Sequence, residues 1–149
     1  MKTSVMFAVV AALSLAVVGS ALGGGSAARA TSVATASSGL GRIVVDGRGR
    51  TLYLFEKDKG GKSACSGVCS SYWPPLVTSG KSIAIKGAKP ALLGSISRAG
   101  GTRQVTYAGH PLYFFSGDSK SGQTNGEGLT DFGASWYVLA PSGKKIDRD

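Results

Sequence analysis

The chain has 149 residues and a formal net charge of +9, from 17 Lys+Arg against 8 Asp+Glu, with 23 Gly, 2 Cys and 1 His. That length supports one domain, hardly two. Two cysteines are too few for a zinc cluster or a disulfide-dense scaffold, and one histidine does not make a His-rich metal site.

The first 30 residues carry only two charges, Lys2 and Arg29, and residues 5–18 form an apolar run broken only by Ser14. A basic start, an apolar stretch and the small residues Ala28, Arg29 and Ala30 before Thr31 are the grammar of a secretory signal peptide over residues 1–30, with a cut after Ala21 as the earlier alternative. The competing reading is an uncleaved anchor, since residues 5–22 only just reach spanning length; Gly23, Gly24, Gly25 and the small-residue site favour cleavage. No Cys lies near the cleavage region, so a lipid anchor is not expected, and the mature chain is expected outside the cell or in its envelope. What remains holds 19 of the 23 Gly, 11 of the 12 aromatics and a net charge of +7. That composition suits a turn-rich, aromatic-cored fold and not a helical bundle. Residues 31–39 are small and polar and read as a flexible linker, so the folded unit is expected over 40–146.

Ile43-Val44-Val45, then Asp46-Gly47-Arg48-Gly49, then residues 51–55 read as strand, turn, strand, because Asp-Gly and Gly tolerate the positive φ of hairpin turns. Tyr53 and Phe55 share one face of the second strand while Leu52 and Leu54 take the other, so both faces are apolar and the strand belongs in a core. Asp58 follows, where the chain enters the glycine turn Lys59-Gly60-Gly61. Cys65 and Cys69 (CSGVC) come next, then Trp73. Gly100-Gly101 marks a hairpin; residues 104–107, 108–111 and 112–115 again read as strand, turn, strand; Asp118 enters a second turn; and Ser142-Gly143 marks a last hairpin. No stretch shows a sustained helical period. The expected fold is all-β, eight or so short antiparallel strands in a small barrel or sandwich.

The chain also repeats itself. Residues 45–58 (VDGRGRTLYLFEKD) align at an offset of 60 with residues 105–118 (VTYAGHPLYFFSGD), and residues 73–81 (WPPLVTSGK) at an offset of 63 with residues 136–144 (WYVLAPSGK). Two colinear blocks define two copies, 40–86 and 100–146, joined by residues 86–100. These paired blocks, Tyr53 to Asp58 and Tyr113 to Asp118, each followed by a Trp block, resemble the bacterial secreted and lipoprotein repeat family with a Y-x4-D motif. The resemblance implies an exported repeat protein and no reaction.

The motif residues have a structural reading first. A carboxylate at the mouth of a turn accepts backbone N–H groups, and a buried Tyr hydroxyl needs a partner, for which the copy-related Asp is the obvious one. The functional reading makes Tyr53, Asp58, Tyr113 and Asp118 a ligand site, with Trp73 and Trp136 as stacking platforms; core plugs are the plainer role for the tryptophans. For Cys65 and Cys69 the expected state in an exported chain is a disulfide closing a short loop, worth roughly 2 kcal/mol. The rival reading is copper handling or thiol redox chemistry by that C-x3-C pair, with His110 as a third Cu(I) ligand. Covalent haem needs C-x-x-C-H and is excluded, because Ser70 follows Cys69.

The cations are scattered, with no run longer than two. They suit a solvated surface and a weak attraction to anionic cell-envelope polymers or a lipid surface, and no nucleic-acid motif accompanies them. Nucleophilic triads and phosphate loops are missing from the pattern. The expected function is a non-catalytic binding or scaffolding module of the envelope, with no cofactor.

Overall fold

A computed structural model describes residues 30–148; the leader and its cleavage lie outside the described residues. Ten strands and one short helix follow in chain order. They are β1 (Ser32–Ser38), β2 (Gly41–Asp46), β3 (Tyr53–Phe55), α1 (Val68–Tyr72), β4 (Val77–Thr78), β5 (Ile83–Ala84), β6 (Leu93–Ser97), β7 (Arg103–Tyr107), β8 (His110–Pro111), β9 (Thr130–Asp131) and β10 (Ala134–Val138). They form three small sheets, ordered β2-β1-β5, β3-β10-β9 and β4-β7-β6 with β8 on β7.

The architecture is mostly β, as expected, but it is neither a closed barrel nor a clear sandwich. Isolated backbone bonds, such as Val44 N–H to the Leu139 carbonyl and the Tyr53–Tyr113 pair, link the three sheets without merging them into one ladder. One pair, β1 with β5, is parallel.

Residues 31–39 are not a flexible linker. β1 runs antiparallel to β2 from Val33 opposite Asp46 to Ser38 opposite Gly41, and Val33 and Ala34 are buried. The small residues that suggested flexibility are what fit between neighbouring strands. The same pairing recurs in the second copy, where β6 lies along β7 with Leu93 opposite Tyr107 and Ser97 opposite Arg103. Each copy therefore begins one strand earlier than the Tyr motif indicates, and β6 occupies the stretch read as a joiner.

The alignment also shifts by one residue before the motif. Leu52 donates its N–H to the Val44 carbonyl as Leu112 does to that of Val105, so Val44, and not Val45, is the counterpart of Val105. The extra residue sits in the first copy's turn, where Asp46 binds the N–H groups of Arg48 and Arg50, both at 2.9 Å, and Gly49 takes φ +84. The second copy turns in two residues between Tyr107 and His110, with Ala108 and Gly109 both at positive φ, the geometry of the tightest hairpins.

A local pseudo-twofold axis runs between the motif strands. Tyr53 and Tyr113 exchange both backbone hydrogen bonds, at 2.8 and 3.0 Å. About that axis the copies interlock: β3 of the first pairs with β10 of the second, Trp136 opposite Phe55 and Val138 opposite Tyr53. In the mirror arrangement Leu76 donates to Leu112 and Phe114 to Pro74. The alternation read from sequence holds. Leu52, Leu54 and Leu112 enter one apolar cluster, with Phe114 packed against it; Tyr53, Phe55, Tyr113, Trp73 and Trp136 enter the other, with Phe115 packed against it.

Candidate functional site

The second cluster gathers the motif tyrosines and both tryptophans, and its order follows from the interlocking. Four rings stack in a column, Phe55 on Trp136 (centroids 3.9 Å), Trp136 on Trp73 (3.9 Å, 5° between planes) and Trp73 on Phe115 (4.3 Å). Tyr53 and Tyr113 meet Trp73 and Trp136 edge-on at 5.4 and 5.1 Å, which sets the positive ring edge against the negative face. Both tryptophans have zero exposure. They are core plugs, and no ring face is offered to a ligand. Their indole N–H groups converge on Asp131, Trp73 on its carboxylate at 3.3 Å and Trp136 on its carbonyl at 3.1 Å.

The Tyr and Asp side chains pair across the copies. Tyr53 donates to Asp118 Oδ2 at 2.6 Å, and Tyr113 to Asp58 Oδ2 at 2.7 Å. The other oxygen of each carboxylate closes the turn that follows it: Asp58 Oδ1 accepts the Ala64 N–H at 2.6 Å and Asp118 Oδ1 that of Asn125 at 3.0 Å. Burial, with the neighbouring carboxylate, pushes the Tyr53 hydroxyl far above its ordinary range. Burial does the same for Tyr113, opposed by the Ser63 hydroxyl. Both hydroxyls therefore stay protonated and serve as donors. Burial also raises the Asp58 carboxyl, against the Ala64 N–H, the Tyr113 hydroxyl and the charges of Arg98 and His110.

Arg98 and Gln104 carry no motif signature, yet they brace this site. Arg98 Nη1 donates to Ser63 Oγ and to Gln104 Oε1, each at 2.7 Å, and Nη2 to the Cys65 carbonyl at 2.7 Å. Ser63 Oγ lies 2.7 Å from the Tyr113 hydroxyl. Gln104 is fully buried and donates to the Leu112 carbonyl at 2.8 Å. Its one sequence signal is a polar residue on the inward face of an apolar strand.

Cys65 and Cys69 are joined as a disulfide, with Cα atoms 5.3 Å apart, in the loop that α1 completes. The copper alternative needs two thiolates beside His110, and the structure joins both sulfurs to each other. His110 lies instead with Glu56, Asp58 and Lys145 in a shallow cleft of about 330 Å³. Burial lowers its pKa, and Asp58 opposes that. Among the described residues no group of three His, Cys, Asp or Glu is arranged to hold a metal ion, and no helix is long and apolar enough to cross a membrane.

The cleft at His110 has a counterpart about the pseudo-twofold axis. Arg50 stands where His110 does, Phe114 where Leu54 does, Ser116 where Glu56 does and Asp118 where Asp58 does. This counterpart is larger, about 470 Å³, and is also lined by Arg48 and Lys120.

The family model of Lipoprotein_15, a secreted repeat of unknown function, matches residues 34–77 and 94–140. Those bounds start the copies at β1 and β6, as the strand pairing does. No curated protein and no solved structure matches the chain. With two intact copies locked about one axis and the matches covering most of both, the chain belongs to this family of secreted repeats.

Proposed function

We propose that the protein is a non-catalytic module of the cell envelope that binds anionic envelope polymers, its duplicated core serving as a rigid frame for surface turns. One observation carries this reading: the motif side chains are consumed by the frame. Tyr53, Tyr113, Asp58 and Asp118 bond to one another and to their own turns, which supports a structural role for these four side chains. On the same grounds the Tyr-x4-Asp spacing is the signature of the repeat, because four intervening residues carry the chain from the buried hydroxyl to the mouth of its turn. Apart from Arg98, which braces the frame, the described Lys and Arg residues are exposed, and their excess over acids favours an anionic partner.

The test is retention of the folded, disulfide-bonded chain on immobilised envelope polymers at low and moderate salt. Binding to anionic polymers that weakens as salt shortens the Debye length, with none to neutral glycans, is the expected result. Equal retention on neutral and anionic polymers, or turnover of either, overturns the reading.

A further inference from the structure

The two copies present related clefts with opposite electrostatics. In the cleft at His110, the acids Glu56 and Asp58 face Lys145, and Lys145 is bonded to Glu56 and Asp147 at 2.7 and 3.0 Å. In the counterpart, Arg48, Arg50 and Lys120 face the single acid Asp118. Both Asp118 oxygens are engaged, Oδ2 by the Tyr53 hydroxyl and Oδ1 by the Asn125 N–H.

The basic cleft is preformed. Arg50 is half exposed and bonded through Nε and Nη2 to Asp46 Oδ2, at 2.8 and 2.7 Å. Its guanidinium lies 4.0 Å from the centre of the Phe114 ring, so the charge is held in one orientation before a ligand arrives, which lowers the ordering cost of binding. Asp46 also fixes the turn that carries Arg48. The facing loop is stapled in turn: Gln123 Oε1 accepts the N–H groups of Ser119 and Lys120 at 2.6 and 2.9 Å, Thr51 donates to the Gln123 carbonyl at 2.6 Å, and Ser121 to the Arg48 carbonyl at 3.0 Å.

The cleft also continues. A second depression of about 380 Å³ shares Arg48, Arg50 and Phe114 with it and runs on past Ser32 and Val77. The two depressions adjoin at the arginines, and together, as one groove, they offer a chain more contact than a compact ligand. Ser116, Ser119 and Ser121 and the apolar Pro74 and Phe114 line the basic cleft together with the cations. That mixture matches a sugar chain carrying acid groups: carboxylates for the guanidinium forks, hydroxyls for the serines, ring faces for the apolar wall.

We propose that this groove, and not the cleft at His110, receives a linear acidic polysaccharide, with its carboxylates on Arg48, Arg50 and Lys120. The proposal rests on the anionic-polymer reading above and names the ligand class and the place.

The probe is a hexamer of galacturonic acid, titrated calorimetrically into the folded chain, with a neutral cello-hexaose as control. Arg48→Gln with Lys120→Gln tests the groove; both residues are exposed, and Arg50 is left to hold its turn. Lys59→Gln with Lys62→Gln removes the same charge from the first copy's exposed turn. The expected result is a tenfold or greater loss of affinity in the groove variant, less than a twofold loss in the control variant, and no binding of the neutral hexamer. Equal losses in both variants overturn the site while leaving the anionic-polymer reading intact. Failure of the unmodified chain to bind any anionic polymer overturns that reading itself. Tighter binding to poly(glycerol phosphate) or to phosphatidylglycerol vesicles, lost in the groove variant, keeps the place and overturns the polysaccharide.

Discussion

At the scale of single residues, the crossed Tyr–Asp pairs look equivalent but are not equally buffered. Tyr113 has Ser63 Oγ within 2.7 Å besides Asp58, so its proton keeps an acceptor if Asp58 is removed. Tyr53 receives the Gly126 N–H at 3.2 Å, a donor, so loss of Asp118 leaves its own proton unpaired. Asp118→Ala is therefore expected to lower unfolding free energy by about 1.5–3 kcal/mol, and Asp58→Ala by less, in urea titrations at pH 7. Two variants as stable as the parent would remove the structural role assigned to the motif. Titration separates Asp58 from its neighbour His110. His110 is held below its ordinary 6.5, so the unfolded chain takes up a proton first, and stability is lost as pH falls from 6.5 through the folded value. Asp58 is held above its ordinary 3.8, so the folded chain protonates first and some stability returns as pH falls through that higher value. His110→Gln should flatten the loss below pH 6.5, and Asp58→Asn should abolish the recovery. Chemical denaturation between pH 3.5 and 8 reads both, and a His110→Gln profile superimposable on the parent's would refute the first.

At the scale of elements, beyond the hairpin bonds of Leu52 to Val44 and Leu112 to Val105, the backbone partners of each motif strand lie in the other copy. β3 bonds to β10, and residues 112–116 bond to residues 72–76, so a single copy leaves an apolar strand edge and both faces of its tryptophan bare. Burying a tryptophan contributes on the order of 3–5 kcal/mol, comparable to the whole stability of a small domain. A chain cut to residues 31–86 is expected to show no sheet signal as a monomer. Mixing it with residues 88–148 should restore the near-ultraviolet circular dichroism of the stacked indoles. A folded, monomeric half would show that the interlocking is dispensable. The loops between Asp and Trp account for the change of offset from 60 to 63. The first copy closes with α1 and the disulfide, and the second takes three more residues through Gly126, whose Cα lies so close to Trp73 that an added Cβ would meet the ring at 2.8 Å.

At the scale of the whole molecule, pseudosymmetry in the core coexists with asymmetry at the surface. The core demands matched rings and hydroxyls in both copies, because the rings of the two copies alternate in one buried column. The turns face water and are free to differ, which is how Arg50 and His110 come to occupy equivalent positions with different chemistry. The duplication, the two-faced motif strands, the turn at Asp58 and the turn at Asp118 were legible in the sequence, since apolar alternation and glycine placement are local consequences of strand and hairpin geometry. Strand β1 was not legible, because Thr31-Ser32-Val33-Ala34 has the composition of a linker and becomes a strand only through the backbone edge that β2 and β5 offer. The crossing of Tyr53 to Asp118 and Tyr113 to Asp58, the bracing by Arg98 and the groove over Arg48 and Arg50 were decided by tertiary structure alone. They join residues up to 73 positions apart, and which copy supplies a partner depends on where the axis falls, which no local pattern of residues specifies.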